Sequence, residues 1–131
     1  MDHPAYGLTR DLPQVSWQTA IERVQEALKT EGFGVLTRID VHETLKARLG
    51  VETPPYVILG ACNPTLAHQA LSREFFVGLV LPCNVVVAAT PEGSVVSIAR
   101  PSAMFRAVEN AALSSMQQEV EARLERVLER I

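Results

Sequence analysis

Apolar positions along this chain change period several times, and each change marks an element. From Ser16, a residue suited to N-capping, apolar side chains fall at Trp17, Ala20, Ile21, Val24, Ala27 and Leu28. That spacing predicts a helix with one buried face, and Gly32 closes it. Phe33 to Ile39 alternates as a strand does, after an earlier strand near Ala5 to Arg10. Asp40-Val41-His42-Glu43 has the form of a capping box and predicts a short helix running to Leu49, where Gly50 stops it. Beyond Pro54-Pro55, Tyr56 to Ala61 is an apolar run of strand length. Asn63-Pro64 then places an N-cap before the residue favoured at the first helical position, predicting a third helix to about Ser72. Val77 to Ala89 reads as a strand interrupted at Pro82, which lacks an amide proton. Thr90-Pro91-Glu92-Gly93 reads as a turn and Ser94 to Ala99 as the hairpin partner. From Ser102 to Ile131 the three-and-four spacing returns and predicts one long amphipathic helix that either overhangs the sheet or bends near Ser114-Ser115.

Strands, two short helices, a hairpin and a terminal helix in this order predict an α+β protein with an antiparallel or mixed sheet and helices on one face. With 131 residues and no repeat, linker or low-complexity tract, the chain reads as a single domain, 1–131. At 47% hydrophobic and 21% charged it has a globular composition, and a formal charge of −3 with dispersed Lys and Arg gives no footprint for nucleic acid. The longest uncharged run, Phe75 to Pro91, is broken by Gly78, Pro82 and Asn84, so no membrane span is expected. Met1-Asp2-His3-Pro4 opens without a basic or apolar leader, so the expected location is the cytoplasm, where the two cysteines would be free thiols.

Chemistry concentrates at two Cys-Asn corners, Cys62-Asn63 and Cys83-Asn84, each breaking an apolar run. Should the strand ends carrying them meet, Cys62, Asn63, His68, Cys83 and Asn84 would surround one shallow pocket near a helix N-terminus, suited to a small polar or anionic ligand. Each residue also has a plainer role. Free cysteines pack as small hydrophobes, Asn63 is accounted for as a cap, and His68 fits a surface helix position. Asn84, an amide among valines, needs hydrogen-bond partners. Cys62, Cys83 and His68 lack the close pairing that pre-forms a metal site. Gly32-Phe33-Gly34 precedes a strand and lacks the third glycine of a phosphate loop, and no serine elbow occurs. No metal or cofactor is therefore expected.

Val57-Ile58-Leu59-Gly60-Ala61-Cys62-Asn63-Pro64, then Ala67-His68-Gln69-Ala70-Leu71, then Gly78 to Val87, together with Glu31-Gly32-Phe33-Gly34-Val35-Leu36-Thr37 ahead of Asp40, resemble the bacterial and archaeal family called domain of unknown function 302. The resemblance implies a topology similar to that of the TATA-binding protein: strand, helix, four strands, helix. It implies no DNA binding, since fold does not carry function, and it supplies no catalytic residue. The expected function is that of a small binding or interaction module, as a homodimer in which a two-fold partner covers what the terminal helix leaves exposed. A thiol-dependent enzyme or redox protein using Cys62 or Cys83 is the alternative, and a metal-binding sensor or chaperone the third reading.

Overall fold

The computed structural model describes residues 2–131. Five strands, β1 (Gly7–Pro13), β2 (Gly34–Asp40), β3 (Tyr56–Cys62), β4 (Cys83–Thr90) and β5 (Gly93–Ala99), form one sheet in the order β1-β5-β4-β3-β2. Every pairing is antiparallel, so the sheet is not mixed. The register sets one row of side chains, Leu8 beside Ile98 beside Val85 beside Leu59, and a second, Val96 beside Val87 beside Val57. These apolar side chains are buried on a single face. Two helices cover that face. The first, α1 (Trp17–Thr30), is capped by the Ser16 hydroxyl accepting from Thr19 N and lays Ala20, Ile21, Val24 and Leu28 on β4 and β5. At the end of the chain, α5 (Ser114–Glu129) inserts Met116, Val120, Leu124 and Val127 beside it.

Between the strands lie α2 (Val41–Leu49), closed by left-handed Gly50, and α3 (Pro64–Arg73), capped as expected by Asn63. The capping box at α2 does not form. Asp40 makes no side-chain cap because its carboxylate accepts from Arg38 Nε at 2.8 Å. With α2, α3 and the shorter turns set aside, the order is strand, helix, four strands, helix.

Two longer expectations are corrected. Residues Phe75–Val80 form a 3₁₀ turn and β4 begins only at Cys83. Proline biases the preceding residue to extended backbone, and Leu81 takes that conformation, so pairing starts after Pro82 and the apolar residues upstream coil on themselves. The terminal helix is not continuous either. After the single turn α4 (Pro101–Met104) the chain runs through two 3₁₀ turns before α5. Asn110 causes the interruption: its Oδ1 accepts from Ala112 N, while its Nδ2 donates to Arg73 O and Glu74 Oε1. The loop is thereby tied to the end of α3 and cannot continue the helical ladder.

An ionic clamp fixes α5 to the end of α1. Glu31 is 8% exposed and accepts from Arg126 Nη2 at 2.9 Å and Arg130 Nη1 at 2.8 Å, while Arg123 donates to the Glu31 carbonyl at 3.0 Å. Hydrogen bonding from Arg126, against the cost of burial, holds the Glu31 carboxyl below its usual range.

Candidate functional site

The β3–β4 register places Ala61 opposite Cys83, so Cys62 and Cys83 sit on neighbouring strands one residue out of step. Beyond Cys62 the chain turns at Asn63 into α3. Beneath that turn and against α5 lies a cavity of about 360 Å³. Its walls come from the β2 end (Phe33, Leu36), from α3 (Leu66, Ala67, Ala70, Leu71), from Leu81 and Pro82, and from Met116 and Val120 of α5. Cys62, Asn63 and Cys83 also line it.

Of the five residues expected around one pocket, Cys62, Asn63 and Cys83 line this cavity and His68 and Asn84 do not. His68 is excluded by helical geometry. Leu66 and Ala70, like Ala67 and Leu71, are four apart and face the cavity, whereas His68 lies on the exposed side of α3. Asn84 is excluded by strand alternation: Cys83 turns inward, so its neighbour turns outward and exposes its amide to solvent, which meets the hydrogen-bonding need of that side chain. Asn84 instead borders a separate depression of about 210 Å³ with Pro82, Ala99 and Pro101.

The lining offers few groups to a polar or anionic ligand. The buried Asn63 amide is already engaged, with Oδ1 accepting from Leu66 N at 3.2 Å and Nδ2 donating to the Glu31 carbonyl at 3.4 Å. Pro64 has no N–H to offer, so the start of α3 presents little to an anion. What remains is mainly hydrocarbon, with Thr37, Gln117 and two thiols as the other polar groups. Sequence reasoning missed the larger part of this wall. Leu66, Ala70, Met116 and Val120 carry the ordinary helical spacing of core residues, and nothing local distinguishes a side chain facing a void from one facing a neighbour.

Burial, and secondarily the nearby Cys62 sulfur, push the Cys83 thiol up to about 11. At neutral pH Cys83 is therefore a thiol and a poor nucleophile. In a Cys62→Ala variant, where Cys83 alone reports and burial alone raises its pKa, iodoacetamide alkylation of the folded protein at neutral pH should be slower than after denaturation by at least ~10-fold and by less than the ~100-fold that the full shift would give, following the thiolate fraction. The folded rate should climb about tenfold per pH unit until it levels near the raised pKa. Equal folded and unfolded rates would show that the thiol is exposed and unperturbed. Because the folded pKa lies above the unfolded value, this group's contribution to stability is complete below about pH 9 and is lost as pH rises towards 11.

Among the described residues, no group of three or more His, Cys, Asp or Glu is placed to hold a metal ion. The other histidines have structural partners: His3 Nε2 lies 2.9 Å from Asp11, and His42 Nδ1 accepts from Tyr56 N. Among the described residues, no helix is long and apolar enough to cross a membrane.

Fold and cavity together define a small α+β domain with an apolar pocket between the sheet end and two helices. The chain belongs to the family described as domain of unknown function DUF302, whose model matches residues 8–131. It is similar to the crystal structure of uncharacterized conserved protein DUF302 from Bacillus stearothermophilus, with 33% identity over 97% of this chain and 98% of that one and a TM-score of 0.87. No curated protein matches it. The family description carries no activity, so the functional reading rests on the cavity.

Proposed function

We propose that the protein is a binding module that takes a small apolar ligand into the cavity between α3, α5 and the end of β3. The observation that carries this reading is a space of about 360 Å³ whose buried amide already has its hydrogen bonds made within the protein. That volume lies in the range of small-molecule pockets, and an apolar occupant would meet a lining that is mainly hydrocarbon, with few polar groups to desolvate. The raised Cys83 pKa weighs against that residue as the nucleophile of a thiol enzyme. Two free cysteines on neighbouring strands support a reducing, cytoplasmic setting. The order of elements is compatible with a TATA-binding-protein-like topology, without the basic surface that nucleic acid requires.

The neutral fluorophore N-phenyl-1-naphthylamine serves as probe. Wild-type protein should bind it saturably at one site. Ala67→Phe, which directs a ring into the void from a half-buried wall position, should weaken it at least ~10-fold, about 1.4 kcal/mol, while leaving the thermal midpoint nearly unchanged. Absence of saturable uptake by the wild type, or equal uptake by Ala67→Phe, would overturn the reading.

A further inference from the structure

Among the described residues that line the cavity, none is Asp, Glu, Lys, Arg or His. Few hydrogen-bonding groups remain open there either. The Asn63 amide is engaged with Leu66 N and the Glu31 carbonyl, which leaves the Thr37 hydroxyl and the Gln117 amide beside two thiols. Thr37 is exposed and stands at the edge of the wall, directly opposite Gly60 in the β2–β3 register. A β-carbon on Gly60 would collide with Thr37 Oγ1 and stand 2.8 Å from Pro82 Cγ. The bare glycine therefore lets the Thr37 side chain lie across β3 towards Pro82, and both residues line the cavity. Among the described residues the Thr37 hydroxyl has no hydrogen-bond partner, so solvent serves it until a ligand oxygen takes the place of that water. Arg38, the next residue of β2, faces the other side of the sheet by alternation and donates to Asp40 at 2.8 Å, so it brings no free cation to this edge.

We infer that the ligand is a neutral amphiphile, with a hydrocarbon body that fills the cavity and one uncharged oxygen, hydroxyl or carbonyl, that bonds to Thr37 at its edge. This rests on the cavity reading and adds a head group to it. Size follows from volume: at ~30 Å³ for each atom, about the share of a water in the liquid, 360 Å³ holds about a dozen heavy atoms. Charge is disfavoured by desolvation. An ionised carboxylate or ammonium drawn against this wall gives up hydration and meets no counter-charge in return. The wall already acts this way on one of its own groups, since burial keeps the Cys83 thiol protonated well above neutral pH. A hydroxyl or carbonyl instead exchanges one water for Thr37 and keeps its hydrogen bond.

Displacement of N-phenyl-1-naphthylamine from the full chain at neutral pH by 1-octanol, octanoate and octylammonium tests the inference. Octanol should displace the probe, and the two ions should do so at least ~10-fold less well. Along the series from hexanol to decanol, affinity should rise about fourfold per methylene and level off near the size at which the cavity is full. Thr37→Val, which keeps the shape beside Gly60 and Pro82 and removes the hydroxyl, should lower octanol affinity about fivefold relative to that of the probe. Ala67→Phe should weaken octanol together with the probe, as one shared site requires. Probe binding without displacement by octanol, or with octanoate as effective as octanol, would overturn the inference and leave the cavity reading standing. So would an octanol-to-probe ratio that Thr37→Val leaves unaltered, because the oxygen would then bond elsewhere, such as at Gln117. Absence of saturable probe uptake would remove the cavity reading itself, and the inference with it.

Discussion

Replacing Leu124 with alanine should cost about 2 to 5 kcal/mol, a large share of the total stability of a domain this size. Leu124 has no exposed surface and sits midway along α5, four residues from Val120 and three from Val127, where the helix packs beside α1 and against the sheet. The cost of such a truncation depends on whether the surroundings collapse into the void. Here they are held back, because Arg123 and Arg126 on the same helix and Arg130 at its C-cap are all bonded to Glu31 at the end of α1. The expected value therefore lies in the upper half of the range. Urea melts measure it, and a change below about 0.5 kcal/mol would show that α5 does not seat Leu124 in the core.

Gly93→Ala is expected to approach that effect through backbone rather than cavity. A β-carbon at Gly93 would stand 2.6 Å from Gln14 N and 3.0 Å from Val15 N, and it would press on the Leu12 carbonyl. All three are main-chain atoms that cannot rotate aside. The chain leaving β1 is held there by Gln14 N donating to the Glu92 carbonyl at 2.8 Å, so the exit of β1 must move bodily. A loss of about 3 kcal/mol is expected, at the upper end of ordinary overpacking. Gly34→Ala is the control, since nothing lies within 4 Å of its added methyl and its backbone is ordinary strand. Thermal melts of the pair should separate clearly, and equal midpoints would mean that β1 yields at that turn without cost.

What the sequence made legible follows the reach of each interaction. Ser16, Asn63-Pro64 and Gly50 act on backbone within a few residues, and each marks its boundary as expected. The failures come where a distant group competes for a local one. Asp40 was readable as a cap, but Arg38 claims its carboxylate, and Asn110 breaks the terminal helix with bonds to Arg73 and Glu74 far back in the chain. Val77 to Val80 has strand composition, yet its burial recurs at the third residue, from Val77 to Val80, as on a 3₁₀ turn in place of a pleat. At the cavity, Cys62 and Cys83 were identifiable as neighbours once β3 and β4 paired. That Asn84 faces away follows from alternation alone, and it was missed because Pro82 obscured where the strand begins. The α5 side of the cavity had no signal, since Met116 and Val120 meet α3 only through the tertiary fold.

The position of β1 bears on how the chain comes off the ribosome. Among the described residues its one strand neighbour is β5, with Leu8 opposite Ile98, about 90 residues later in the chain. At about 5 to 20 residues per second, roughly 5 to 20 s pass between synthesis of the two partners. The hairpin-like sequence β2, β3, β4, β5 can pair as it emerges, each strand beside the one just made. Meanwhile β1 and the apolar face of α1, which rests on β4 and β5, have nothing to cover them. The segment carrying β1 and α1 is thus a natural client for a holdase until β4 and β5 are made, and the sheet acquires its fifth strand only when the last hairpin delivers an edge to receive it.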